Sequence, residues 1–224
     1  MRVQTHGNTN ALSLWAAVAF AATSLPIAAV TLAIGVYLPR HYASHLGLEL
    51  TAVGAAFFIV RAIDTPIDAL LGWAMDRTRT VLGRYRFWTI IGVPIFLLGT
   101  FRLFIPPEQI SLAYLILWLL VMYLGNSIMT ISHVAWAVTL APRYNERSRL
   151  FGISTAVGVL GAAAVIFVPV INSYLGGADS SNANLMGWLV IALTPVTVAL
   201  VLWVTPETVS TDVGGTRFRL RDYL

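Results

Sequence analysis

Six stretches of this sequence are long and apolar enough to cross a lipid bilayer, and that limits what it can fold into. A spanning helix needs about 20 apolar residues. Within hydrocarbon every backbone N–H and C=O must be bonded inside the protein, so a chain built of such runs becomes a helical bundle. The runs cover residues 12–38, 52–75, 87–105, 110–140, 150–174 and 185–204. Pro26 is expected to kink the first, and Pro106 and Pro107 stop the third. The fourth is long enough to tilt or to project beyond the bilayer. The fifth carries Gly152, Ser154, Gly158, Gly161 and Ala162, small residues that let helix backbones approach closely in lipid. Only 11% of the residues are charged, against about 25% in soluble domains. The mean hydropathy is +0.78. Bilayer is therefore the expected solvent.

The charges that remain have an ordered placement. All 14 basic residues are arginine, and most of them cluster in short links between or after the apolar runs. The link after the second run holds Asp76 against Arg77, Arg79, Arg84 and Arg86, and the link after the fourth holds Glu146 against Arg143, Arg147 and Arg149. Arg217, Arg219 and Arg221 follow the sixth. The opposite links are poorer, with Arg40 and Glu49, then Arg102 and Glu108, then Asp179. The positive-inside rule puts both termini in the cytoplasm, and an even number of spans requires them to share a side. The net charge of +4 is thus a topology signal and not a nucleic-acid surface. No cysteine is present, which excludes disulfides and thiolate metal sites. The opening MRVQTHGNTNALSLW lacks a short apolar core with a small-residue cleavage site, so no cleaved signal peptide is expected. Trp73, Tyr85, Trp88, Tyr174, Trp188 and Trp203 fall near run ends and read as interfacial anchors.

The second run breaks its own apolar pattern with Arg61, Asp64 and Asp68. Steps of three and four return to one helix face, so these form a polar stripe about two turns tall. Each mid-membrane charge costs roughly 2.5–3.5 kcal/mol, together on the order of 8–10, and such groups mark functional sites. Two ionised aspartates one turn apart repel, so a proton or a cation has to sit with them. Their oxygens suit a hard cation such as Na⁺ or Li⁺. Pro66 lacks an N–H, which leaves the Ala62 carbonyl without its helical donor beside the pair. A purely structural clamp is the rival reading, but one arginine leaves one carboxylate uncompensated.

On the fourth run Asn126, Thr130 and His133 share a face, with Trp136 about a quarter turn away. Asn126 and Thr130 are candidate cation ligands beside Asp64 and Asp68. His133 is either a solute or proton ligand or a histidine hydrogen-bonded across helices, and Trp136 is either a stacking surface for a solute or packing. Trp118 and Tyr123 read as packing. The segment from Gly72 to Arg79 leaves the membrane with a glycine for close helix contact, Asp76 for the positive start of a facing helix, and arginines for acids or lipid phosphates. A membrane-embedded enzyme would need a nucleophile–base set or a metal cluster. Neither is expected, since His133 has no recognisable partner and no His-x-x-x-His pair is expected.

The pattern R-x-x-D-x-x-x-D followed by GWAMDRTRTVLGRYR, and the later HVAWAVTLAPRYNERSRLFG, resembles the glycoside–pentoside–hexuronide:cation symporter family of the major facilitator superfamily. The resemblance spans nearly the whole chain. It implies an all-α membrane protein of six transmembrane helices forming one half of a twelve-helix fold. Residues 1–205 would be the N-terminal bundle and 206–224 the start of a cytoplasmic central linker, with a C-terminal six-helix half as partner. Asp64 and Asp68 match the aspartates that bind the coupling cation, and Arg61 the arginine before them. Gly72, Asp76, Arg77, Gly83 and Arg84 match the cytoplasmic gate, to which Arg79 and Arg147 of the same links are added. Trp136 matches a sugar-site aromatic. Three sugar-binding positions depart, with Pro26, Ile27 and Ala28 where a charged pair stands, Ser132 for an acid and Ser154 for an arginine. The implied function is Na⁺- or H⁺-coupled symport of a sugar, glycoside or related solute at the inner membrane, without an organic cofactor. Arg61, His133 and Trp136 are the expected solute ligands. A non-transporting or truncated six-helix scaffold is the alternative.

Overall fold

The computed structural model describes residues 13–107 and 109–205. The expected linker at 206–224, its three arginines and Glu108 lie outside the described residues.

Among the described residues, eight α-helices make up six membrane-length spans. Span one is composite: α1 (Leu14–Ala21), α2 (Ser24–Leu32), a π-helical turn (Ala33–Tyr37) and α3 (Leu38–Ser44). The other spans are α4 (Leu50–Arg77), α5 (Arg84–Phe104), α6 (Leu112–Leu140), α7 (Tyr144–Tyr174) and α8 (Asn182–Val204), the last led in by a 3₁₀ turn at Asp179–Ser181. Span one departs from the sequence expectation in two ways. Its interruption falls at residues 22–23, one turn before Pro26. The proline ring crowds the carbonyl four residues back and supplies no N–H to it. The Ala22 carbonyl accepts instead from the Leu25 N–H at 3.0 Å, a tighter turn. The span also runs on to Ser44 through Pro39 and Arg40. Tyr42 explains the extension: it is fully buried, and its hydroxyl donates to the Leu103 carbonyl at 2.9 Å.

That bond has a second use. Leu103 and Arg102 belong to the last turn of α5, whose carbonyls have no intrahelical donor. Tyr42 covers the first and the Tyr114 hydroxyl covers the second at 2.8 Å. Tyr42→Phe is expected to cost about 1–2 kcal/mol, because it leaves a buried acceptor unmade. A thermal melt of the chain in lipid nanodiscs checks it.

α5 and α6 form the closest antiparallel pair, and α4 packs on α6. A Cβ built on Gly125 would meet the backbone of Phe96, and one on Gly99 the backbone of Met122. Glycine lets these two backbones touch. In the same way Gly161 of α7 rests on the Leu25 carbonyl of α2. The main core gathers Val30, Leu38, Val53, Phe96, Leu103 and Met122 among others, and a smaller cluster joins Phe20, Tyr85, Trp136 and Leu150. Tyr85 is therefore core and not an interfacial anchor, whereas Trp73, Tyr174, Trp188 and Trp203 are exposed on the bundle surface.

Candidate functional site

α4 and α6 run side by side in the same direction, and their register is fixed by two contacts. The Ser127 hydroxyl donates to Asp64 Oδ1 at 3.2 Å, and further along Ser132 Oγ lies 3.6 Å from the Met75 sulfur. Asp64 is 2% exposed. Its other oxygen accepts from Arg61 Nη1 at 2.8 Å. Arg61 itself is 63% exposed at the side chain and lies over the Tyr123 ring, 5.5 Å from its centroid. The stripe read from the sequence is thus real, but its members differ. Asp64 is satisfied on both oxygens, while Arg61 points out of the bundle wall.

Asp68 is the unsatisfied one. Among the described residues, its Oδ1 is shut from solvent with no hydrogen-bond partner, and the same holds for Asn126 Oδ1 and Thr130 Oγ1. Buried polar groups are almost always bonded, so an orphan needs a reason. Asp68 stands one turn, about 6 Å, beyond Asp64, and Thr130 about 4.5 Å beyond Ser127. Carboxylate, amide and hydroxyl oxygens are the donor set of a hard cation. Pro66 sits between the two aspartates without interrupting the helix.

His133 and Trp136 part company. Trp136 is 1% exposed and meets Phe20 edge-on at 5.6 Å. It is core, so the expected stacking surface for a solute is not presented, because the apolar rings of α1 and α6 bury each other. Phe20 also stacks on His133 at 4.2 Å, yet His133 still lines a cavity of about 410 Å³ between α2, α6 and α7. Ile27, Ala28, Thr130 and Ser154 share that wall. Two of the three positions that depart from the family's sugar-binding pattern, the first-run stretch through Ile27 and Ala28 and Ser154, therefore do face one cavity. Ser132 does not; it is fully buried against Met75.

At the arginine-rich end, Gly83 caps the start of α5 with φ +96°, a conformation that favours glycine, and its carbonyl accepts from the Thr80 hydroxyl at 2.6 Å. Asp76 pairs at 3.5 Å with Arg84, the first residue of α5, which places its charge at the positive helix start. Arg77 lies over the Trp73 ring at 3.9 Å, and Arg79 is exposed. Arg147 Nε donates to the Ala141 carbonyl at the end of α6. Arg86 bonds the Leu202 carbonyl, which ties the start of span three to the end of span six. Nothing lies within 4 Å of a Cβ on Gly72, so the close helix contact expected there is not made within this bundle.

Two contacts of the charged stripe had no sequence expectation. Ser127 completes Asp64 from 63 positions away, and Tyr123 lies beneath Arg61 although it reads as packing. Neither partnership leaves a local signal. One sequence expectation fails outright: His41 and His45 do form a His-x-x-x-His pair, and its spacing is plain in HYASH.

Residues 19–222 match the family described as MFS/sugar transport protein. The chain is 26% identical over 179 residues to the isoprimeverose transporter of Lactiplantibacillus pentosus, covering 76% of this chain and 36% of that protein. It is 27% identical over 186 residues to the uncharacterized symporter YnaJ of Bacillus subtilis, covering 81% and 40%. It is 25% identical over 197 residues to the inner membrane symporter YicJ of Escherichia coli, covering 83% and 42%. The chain thus spans about two fifths of the length of the curated relatives it matches.

Proposed function

Because the chain belongs to the MFS/sugar transport protein family, we propose that it forms the first half of a cation-coupled symporter for a sugar, glycoside or related small solute. The family and the relatives' names point to transport and not to catalysis, and the six apolar helices make a multi-pass membrane protein. The finer reading adds both termini in the cytoplasm of an inner-membrane protein, a second six-helix half, and alternating access between the halves. It calls for no organic cofactor.

The observation that carries the reading is the buried, unpartnered oxygen of Asp68 one helical turn from an Asp64 that is satisfied on both oxygens, with further unpartnered oxygens on Asn126 and Thr130 of α6. In this reading Na⁺ or H⁺ enters between the aspartates and cancels the charge that Arg61 leaves over. A neutral site crosses a closed, low-dielectric state at lower cost than an anionic one, so the ion favours the state change. That differential preference is what coupling requires. Arg61 and His133 then serve the solute, from the bundle wall and from the α2–α6–α7 cavity. The rival scaffold reading accounts for the Arg61–Asp64 pair but gives Asp68 no partner.

The test is uptake by the full transporter in proteoliposomes under imposed Na⁺ and H⁺ gradients. One of the two gradients is expected to drive solute accumulation above the outside concentration. Equal uptake with neither gradient applied sinks the coupling.

A further inference from the structure

The seam between α2, α6 and α7 holds hydrogen-bonding capacity that the bundle does not use. α2 and α7 press together at Gly161, on the Leu25 carbonyl, and at Gly158, where a Cβ would sit 3.5 Å from Ala28 Cβ. α6 stands off from that pair and leaves the cavity of about 410 Å³. Its walls differ in kind. On the α6 side stand Thr130 and His133, and both Thr130 Oγ1 and His133 Nε2 are buried without a hydrogen-bond partner. On the α2 and α7 sides Ile27, Ala28, Val159 and Ala162 are apolar, and the Thr155 hydroxyl is already spent on the Phe151 carbonyl at 2.9 Å. Among the described residues, neither an arginine nor a carboxylate lines the cavity. Arg61, paired to Asp64 on α4, is not in its wall.

We infer that this cavity selects the solute by its apolar part: it takes an uncharged glycoside whose aglycone is apolar, and it rejects sugar acids. The inference names the substrate class of the proposed transporter and rests on that reading. Ligand sites are mostly apolar with a few placed polar groups, and this one suits a molecule with a single hydrogen-bonding edge. Sugar hydroxyls on the α6 side use the capacity of Thr130 and His133, which otherwise stays buried at a cost. The aglycone lies against Ile27, Ala28, Val159 and Ala162, where each methylene taken from water adds to affinity. A carboxylate in the same place loses its water and finds no counter-charge on these three helices. Ser154 stands on the α7 wall, where a longer cationic side chain would reverse that choice.

The experiment is equilibrium binding to the full transporter in lipid nanodiscs, in Na⁺ buffer at neutral pH and with no ion gradient. The probes, for glucose and for galactose, are the phenyl glycoside, the methyl glycoside and the methyl glycoside of the corresponding sugar acid. The phenyl glycoside is expected to bind at least about tenfold more tightly than the methyl glycoside, as added contact in an apolar pocket gives. The sugar acid is expected to bind at least about 30-fold more weakly than its neutral partner, as a buried charge without a counter-charge does. Val159→Asn is expected to cut the phenyl-over-methyl ratio at least about threefold. Val159 is 62% exposed, so this variant makes no folding demand. Ser154→Arg is expected to raise the sugar acid against the methyl glycoside at least about tenfold. Equal binding of phenyl and methyl glycosides, the result if a lipid chain or a helix of the second half fills the cavity, overturns the proposal. So does a sugar acid that binds as well as its neutral partner, a ratio unchanged in Val159→Asn, or no binding by any probe. Uptake that ignores both ion gradients sinks the coupling and leaves this binding order standing.

Discussion

Asp68→Asn is expected to abolish solute accumulation in the full transporter while leaving the bundle folded. The substitution keeps shape and removes the charge. In the proposed cycle Asp68 is the carboxylate that no arginine neutralises, so it is the one whose charge the coupling ion answers. Truncating one partner of a buried charge interaction costs about 3 kcal/mol, roughly 100-fold in ion affinity. Accumulation is expected to fall to simple equilibration, measured as solute inside against outside at steady state. Stability moves the other way or not at all. An amide in place of the carboxylate puts two donors where a buried Asp68 oxygen has no partner. Asp64→Asn is a different experiment, since it breaks the 2.8 Å ion pair with Arg61 and disturbs the bond from Ser127. Retained ion-dependent accumulation in Asp68→Asn would falsify the cation assignment.

Gly125→Val has the largest expected effect on folding. A Cβ there runs into the main chain of Phe96, not into a movable side-chain tip. α5 and α6 have to separate, and the contacts of Phe96, Leu119 and Met122 in the main core loosen with them. Overpacking of this kind costs about 3 kcal/mol and occasionally more. In lipid no hydrophobic drive compensates, because the surrounding tails are as apolar as the core. The folded fraction after detergent extraction is expected to collapse. Gly152→Ala is the matched control: nothing lies within 4 Å of its Cβ, and alanine favours helix by about 0.8–1.0 kcal/mol. Equal stability of the two variants would show that the close α5–α6 approach contributes little.

The span count was legible because bilayer thickness acts on composition alone, and all six apolar runs became helices. Helix ends were not. α7 starts at Tyr144, well before the apolar run at 150, because hydropathy marks where the membrane begins and not where the helix does. Span one hid its extension for the opposite reason: Pro39, Arg40 and His41 read as a loop, and the distant Leu103 carbonyl makes them helix. The charged stripe on α4 was visible from spacing, since all of its members lie on one helix. What completes it was not. Ser127, the register of α4 on α6, and the burial of Trp136 behind Phe20 depend on which helix faces which. The His41–His45 pair needed no tertiary knowledge at all, only attention to a four-residue interval.

The Arg61–Asp64 ion pair also sets an electrical sign. With that pair self-neutralised, the empty site on the proposed reading carries the single negative charge of Asp68, and one monovalent cation brings it to zero. For an uncharged solute the loaded carrier then crosses without moving charge, and the empty carrier returns with one negative charge. An interior-negative voltage pushes that returning charge outward, worth about 2.3 kcal/mol per 100 mV if it traverses the whole field. Voltage would act on the reset of the carrier and not on its loaded step.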